Sequence, residues 1–530
     1  MTPSSTNGFF CLYGPPGSGK STVGRLLAAA LDLPAIDLDG EIERQAGRSI
    51  PEIFQAEGEP AFRARESACL QETLRGRPAV VSLGGGALLD AGNRAQAEAA
   101  GVVVCLNASP RALLKRLQAR PGERPLLGEV EDMPQRLADL LERRGEHYAS
   151  FPIQVDMGRC SPHRAVGKIQ RLLGAYHVSA MGSYDVRVQP GGLDALGNML
   201  AQRGLRGPVA LVSDAHVGPL YAPRAIAALQ AAGYPVHPVT IPAGELHKTL
   251  DTVQLLWQAF LERGLERGST VVALGGGVVG DLAGFAAATY LRGVPWVGVP
   301  TSLLSMVDSS LGGKTGADLP QGKNLIGAFH APALVLADPA LLATLPVEEL
   351  RSGMGEVVKH GILADEVLFC RCATGWSALT SAGWDEIVRR AMAVKITFIE
   401  KDPYEAGLRA ALNLGHTVGH ALERASDYRL RHGEAVGIGT IVEARLAERM
   451  GLAQPGLAEE IAAVLSGLGM PTHFPPGIQP DELLPWMKVD KKRAGGAVRF
   501  ALPVRIGEVK TGVVVEEGLL RRTLQAEVQA

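Results

Sequence analysis

The alternation of hydrophobic and polar positions along this chain falls into three regimes. Over the first ~170 residues, short apolar runs alternate with amphipathic stretches. "FFCLYG", "AVVSLGGG" and "GVVVCLN" predict buried strands, whereas "KSTVGRLLAAALDL", "RALLKRLQAR" and "PQRLADLLERRGEHYAS" repeat apolar residues at helical spacing. That order predicts a parallel α/β domain, closed by a basic helix over "PHRAVGKIQRLLGAYHV". Small residues in "SAMGSYDVRVQPGGL" place a boundary near 176–184. Strands such as "GPVALVSD", "STVVALGGG" and "PWVGVPTS" then alternate with helices again. Later the strand signal fades, and "PVEELRSGMGEVVKHGILAD", "EIVRRAMAVKITFIEKD" and "GIGTIVEARLAERMGL" predict helices. The expected domains are α/β over 1–178, α/β over 184–343 and mainly α-helical over 344–530.

Composition narrows the function classes. A chain of 530 residues exceeds one ordinary core, in line with several domains. A net charge of −2 gives no electrostatic case for nucleic acid or for an anionic membrane. The six cysteines form no CxxC pair, and the start of the chain lacks the basic and apolar segments of a secretory signal. Reduced thiols in a cytoplasmic protein that meets small molecules are therefore expected. The 64 glycines, about 12% against a usual ~7%, gather in clusters where backbone can approach a ligand.

The first cluster, "GPPGSGKS" at residues 14–21, matches GxxxxGK[ST] between a predicted strand and a predicted helix. Gly17, Ser18, Gly19 and Thr22 are placed to wrap a polyphosphate with backbone N–H groups at a helix N-terminus. Lys20 would reach the outer phosphates, and Ser21 would hold the Mg²⁺ that accompanies ATP. Further on come Asp37 and Asp39 at a strand end, Arg63 and Glu66 one helical turn apart, and "LGGGA" with Gly84, Gly85 and Gly86. Across residues 8–175 this ordered set resembles shikimate kinase, which implies a P-loop kinase-type parallel sheet. The resemblance implies that Asp39 binds shikimate hydroxyls and serves as base for the attacking one. It also implies that Arg63 and Arg144 fork onto the shikimate carboxylate and that Gly84, Gly85 and Gly86 pack against its ring. Arg124 in "GERPLL" would close over the transferring phosphate. One departure stands out: the family carries Arg-x-Pro-Leu-Tyr where this chain reads "RGEHY", keeping only Arg144 and Tyr148.

The second cluster, "VVALGGGVVGDLAGF", has no GK[ST] and no GxGxxG, yet three glycines between strand and helix suit a pyrophosphate. It precedes "PTSLLSMVDSSLGGKTGADLPQGKNLIGAFH", whose Asp308, Lys314, Lys323 and Asn324 read as a polar pocket. "GMGEVVKHG", "ALNLGHTVGHALE" and "RHGEAVGIG" then supply Glu356, His416, His420 and His432. One carboxylate with two imidazoles is a catalytic Zn²⁺ donor set, and spacing leaves open which two histidines ligate. Together with "GELHKT", "LRGV" and "GKNLIG", these motifs make residues ~184–515 resemble 3-dehydroquinate synthase, with a Rossmann-like domain before a helical one. The resemblance implies that Glu356, His416 and His432 hold Zn²⁺ or Co²⁺, with His420 in the substrate pocket. It places NAD against Glu245, Lys248, Gly275, Gly276, Gly277, Asp281, Thr301, Ser302, Lys314 and Lys323. It gives Asp308, Lys314, Asn324, Lys359, Lys395, Arg409 and Asn413 to the anionic substrate, 3-deoxy-D-arabino-heptulosonate 7-phosphate. Arg292 would meet its phosphate from the partner protomer of a homodimer, and Lys491 is a further candidate.

The sequence therefore predicts two fused enzymes. The alternatives are a related small-molecule kinase joined to a metal- and NAD-dependent polyol dehydrogenase, or an ATP-binding module that regulates a synthase.

Overall fold

The computed structural model describes residues 8–119, 132–158, 160–405, 407–489 and 498–529. The chain forms two compact units, Met1–His177 and Val178–Ala530.

In the first unit, five parallel strands lie in the spatial order Ala35–Asp37, Val80–Ser82, Phe9–Tyr13, Gly101–Asn107 and Ile153–Asp156. Phe9–Tyr13 is apolar throughout because both faces of a central parallel strand are covered. Its side chains alternate: Phe9, Cys11 and Tyr13 pack with Leu38, Leu70 and Phe151, whereas Phe10 and Leu12 pack with Leu27, Val166 and Ile169. The loop before helix Lys20–Leu31, Asp37, and the glycines after Val80–Ser82 all lie at or just beyond carboxyl ends of strands, where open α/β sheets form their binding crevice. The closing helix is shorter than expected. It stops at Leu173, because Gly174 turns left-handed with φ 61 and caps it, and Ala175–Val178 continues as a strand.

In the second unit, six strands of a seven-stranded sheet run parallel in the spatial order Tyr184–Val188, Leu334–Ala337, Trp296–Pro300, Thr270–Gly275, Val209–Asp214 and Val236–Ile241. The helices Val347–Ala364, Asp385–Lys401, His416–Ala425 and His432–Arg449 follow. Two antiparallel hairpins depart from the sequence expectation. Lys314–Leu319 pairs with Gly322–Phe329, in a stretch read as a polar pocket. Its second strand is mostly exposed, so no alternating apolar face announces it. Arg499–Arg505 pairs with Glu508–Val514 inside the region expected to be mainly helical. Pro503 obscures that strand in sequence, since proline cannot donate to a ladder and is confined to edges. No described helix is long and apolar enough to cross a membrane.

Candidate functional site

The first unit holds a cavity of about 720 Å³ lined by Ser18, Lys20, Ser21, Asp39, Arg63 and Arg144, among others. Gly19 caps helix Lys20–Leu31 with φ 97, so the loop's backbone turns toward the helix N-terminus. Lys20 Nζ donates to the carbonyls of Gly14 at 2.9 Å and Pro15 at 3.1 Å, which fixes the ammonium over the loop. Asp39 sits in the first turn of helix Leu38–Ala46 on the same cavity. Burial raises its carboxyl above the ordinary range; Asp37 adds to that, and Lys20 opposes it.

Arg63 and Arg144 come from different helices, Ile50–Leu74 and Met133–Ala149, and converge above Gly86. A Cβ on Gly86 would lie 2.9 Å from Arg63 Nη2 and 3.1 Å from Arg144 Nη1, so the absent side chain leaves room for both guanidinium groups. Glu66, almost wholly buried, holds Arg63 Nη1 at 2.6 Å. Arg144 Nη1 donates to Gly85 O at 3.2 Å and the Tyr148 hydroxyl donates to the same oxygen at 2.7 Å. The spacing of four keeps both on one helix face without the Pro-Leu pair. Arg124 lies outside the described residues.

In the second unit, strand Thr270–Gly275 passes through Gly276 directly into helix Gly277–Thr289. Thr301 donates its N–H to Gly275 O at 2.9 Å, holding the next strand's loop against the glycines. Ser302 Oγ lies 3.7 Å from where a Gly276 Cβ would sit. Lys248 Nζ pairs with Asp281 at 2.6 Å and donates to Asn324 Oδ1 at 2.6 Å. Asn324, expected with the substrate, is thus tied to the Lys248–Asp281 pair. Lys323 pairs with Glu245 at 3.3 Å and stacks over Tyr428.

Three helices bring the expected metal donors together. Their candidate ligand atoms lie within 4.8 Å of one another. Glu356 Oε1 is 3.5 Å from His416 Nε2 and 3.6 Å from His432 Nε2. Each imidazole is oriented through its other nitrogen: His416 Nδ1 faces Leu414 O at 3.1 Å, and His432 Nδ1 faces Glu423 Oε2 at 3.3 Å. That leaves both Nε2 atoms aimed at one carboxylate, the second-sphere arrangement a ligating histidine requires. Burial would raise the Glu356 carboxyl, but Lys359, His432 and His416 hold it well below the ordinary range. For His432, burial is outweighed by Glu356 and Glu423, which push its pKa up to about 10. His416 is shifted the other way, held well below its ordinary value by burial foremost and then by Lys359. One carboxylate and two imidazoles fit a divalent cation. His420 stands beside the set, its ring 5.1 Å from that of His416 and 5.9 Å from that of His432.

Glycine makes this convergence possible. A Cβ on Gly433 would lie 1.7 Å from Ser352 O, and one on Gly355 would lie 2.1 Å from Gly433 O. Helices Val347–Ala364 and His432–Arg449 thus touch backbone to backbone, beside Glu356 and His432. Gly433→Ala is expected to cost ~1–3 kcal/mol or more by overpacking. Calorimetry should show a lowered transition for the second unit, and the purified variant should retain less metal.

The family model described as 3-dehydroquinate synthase N-terminal matches residues 238–352, and its C-terminal counterpart matches 353–493. The 3-dehydroquinate synthase of Nostoc punctiforme is 45% identical over 350 residues, covering 65% of this chain and 96% of that protein. The chain belongs to the 3-dehydroquinate synthase family. The enzyme of that name from Symbiobacterium thermophilum is 49% identical over 321 residues, 60% of this chain and 89% of that protein. A solved 2-epi-5-epi-valiolone synthase from Streptomyces hygroscopicus, with NAD⁺ and Zn²⁺ bound, is 30% identical with a TM-score of 0.60. That match covers 65% of this chain and 97% of the other. The shikimate kinase family model matches residues 16–173. One chain therefore carries both a shikimate kinase and a 3-dehydroquinate synthase.

In the synthase unit, the remaining expected residues fall into separate contacts. Lys359 Nζ pairs with Glu356 and donates to Leu412 O at 2.9 Å, next to the exposed Asn413. Lys395 Nζ donates to Asp308 O at 2.6 Å and pairs with its carboxylate. Glu405 bridges Lys314 at 2.5 Å and Arg409 Nε at 3.3 Å. Arg292 is exposed in a left-handed run with Leu291 and Gly293, at φ 50, 68 and 118 for residues 291, 292 and 293. No described contact joins it to the donor set. Lys491 lies outside the described residues. Sequence reasoning missed Glu423, Glu405 and His360. Glu423 could have been found three residues after His420, on the same helix face. His360 is fully buried, with no hydrogen-bond partner for either ring nitrogen among the described residues, and burial foremost pushes it down to about 3.

Proposed function

We propose residue roles for the two activities, with one observation carrying the synthase assignment: the Nε2 atoms of His416 and His432 both face the buried Glu356 carboxylate. These three would hold Zn²⁺ or Co²⁺, which when bound supplies Lewis-acid polarisation of substrate oxygens. Gly275, Gly276, Gly277, Asp281, Lys248, Thr301 and Ser302 would seat NAD, with Glu245 and Lys323 at its edge. Lys314, Lys359, Lys395, Arg409, Asp308, Asn324 and Asn413 would orient 3-deoxy-D-arabino-heptulosonate 7-phosphate, and His420 would move a proton beside the metal ligands. We assign the nucleotide and metal halves of this unit to residues 184–343 and 344–530. Arg292 would reach the substrate phosphate of a second copy in a homodimer; its exposed position is compatible with that use.

In the kinase unit, Gly17, Ser18, Gly19, Lys20, Ser21 and Thr22 would hold ATP with Mg²⁺, and Asp39 would accept the shikimate hydroxyl proton. Arg63 and Arg144 would grip the carboxylate above Gly86, with Gly84 and Gly85 against the ring and Arg124 closing the site. The domain would extend over 1–178. Six free cysteines support a cytoplasmic setting.

The test runs both reactions on the purified chain. With the seven-carbon phosphorylated acid and catalytic NAD, it should release inorganic phosphate while NADH absorbance stays flat. A polyol dehydrogenase would accumulate NADH on glycerol instead. With shikimate and ATP, ADP should form in step with shikimate 3-phosphate.

A further inference from the structure

Three successive residues ahead of the synthase unit's first sheet strand, Met181, Gly182 and Ser183, hold φ of 62, 110 and 45. Met181 and Ser183 carry side chains that disfavour this region, so the surroundings must impose it. The anchor is Glu400, near the end of helix Asp385–Lys401. Its Oε1 accepts the N–H groups of Ser179 at 2.5 Å and Ala180 at 3.1 Å, and its Oε2 accepts the Ser179 hydroxyl at 2.9 Å. Downstream, Arg203 Nη2 donates to Ser183 O at 3.3 Å and Gly312 donates its N–H to the Tyr184 hydroxyl at 3.1 Å.

Between these anchors the segment meets Arg409, whose Nη1 lies 3.9 Å from Met181 Sδ. The same nitrogen donates to Pro403 O at 2.6 Å, and a Cβ on Gly312 would sit 2.9 Å from Nη2. Arg409 is only 3% exposed, so the segment forms one wall of its enclosure. The helix that bears Glu400 also bears Lys395, which grips Asp308.

We infer that residues 179–183 position the synthase's substrate-binding cations, with Glu400 and Met181 as positioning residues acting through Arg409. The strained backbone, fastened by Glu400, holds the thioether against the guanidinium and limits its rotation. A fixed guanidinium loses less freedom when an anion arrives. This rests on the proposed role of Arg409 as a substrate ligand.

The experiment measures both reactions on the full chain for Glu400→Ala, Glu400→Gln, Met181→Ala and Arg409→Ala. Glu400→Ala should raise the synthase KM for its phosphorylated substrate about tenfold with kcat within about twofold, the pattern of lost uniform binding. Glu400→Gln keeps an acceptor oxygen and should lose less; Met181→Ala should shift KM in the same direction. Kinase constants should stay unchanged in all four. An unchanged KM in Glu400→Ala and Met181→Ala, beside a raised one in Arg409→Ala, would overturn the inference alone. No effect of Arg409→Ala would instead overturn the site assignment on which it rests. A merely structural role for Glu400 predicts lower thermal stability at constant KM, which also overturns the inference. If Glu400→Ala does not fold, Met181→Ala decides.

Discussion

Glu356→Gln is expected to lower synthase turnover by at least ~10³-fold while leaving shikimate phosphorylation intact, because several kcal/mol of charge stabilisation depend on the metal it would help hold. The substitution keeps the side chain's volume, so the helix contact beside Gly355 is preserved. What disappears is the charge that His416 and His432 both face. Lys359, only 1% exposed, also loses its carboxylate partner. Breaking a buried pair on one side destabilises by ~3–5 kcal/mol, so lost activity could reflect lost folding. His416→Ala separates the two effects, since it removes a donor without stripping Lys359 of its counter-ion. Both variants should retain less metal than the parent after dialysis against chelator, measured by elemental analysis, and His416→Ala should keep its circular dichroism. Parental metal content in both would remove the donor assignment.

The two halves were legible to different depths, for physical reasons. The P-loop is a local motif: strand, glycine turn and helix are adjacent in sequence, so residues 14–21 announce their own geometry. The Glu356–His416–His432 set is spread over three helices, yet glycines at 355 and 433 flank its members. Those small residues were visible as clusters, but the close backbone contact between the helices appears only in three dimensions. The convergence of Arg63 and Arg144 was similarly hidden. Sequence showed an arginine that had lost its Pro-Leu neighbours; the fold shows both guanidinium groups over Gly86, with Tyr148 on Gly85 O. The hairpin Gly322–Phe329 escaped because a two-stranded ribbon open to water buries no alternating face. The helix over "PHRAVGKIQRLLGAYHV" was drawn too long because Gly174 was read through, although glycine just past a periodic run is a stop signal.

Asp39→Asn should reduce kinase turnover by ~10²–10⁴-fold, the usual contribution of a positioned general base, while ATP binding and synthase activity persist. The amide fills the same space beside Gly84, where a Cβ would lie 3.1 Å from Asp39 Oδ1, but cannot accept the hydroxyl proton. A pH profile tests the role independently of the size of the loss. Burial foremost, and then Asp37, raise the Asp39 carboxyl above its ordinary value against the pull of Lys20. A base works only when ionised. The parent's kcat/KM should therefore be full above this raised pKa and decline as pH falls through it, above the usual aspartate range. Asp39→Asn should flatten that acid limb. Lys20→Ala removes the opposing charge, so its residual activity should show the limb displaced to still higher pH. A mutant that loses turnover yet keeps the parental limb would show that another group titrates, and turnover within a few-fold of the parent would remove Asp39 from the chemistry altogether.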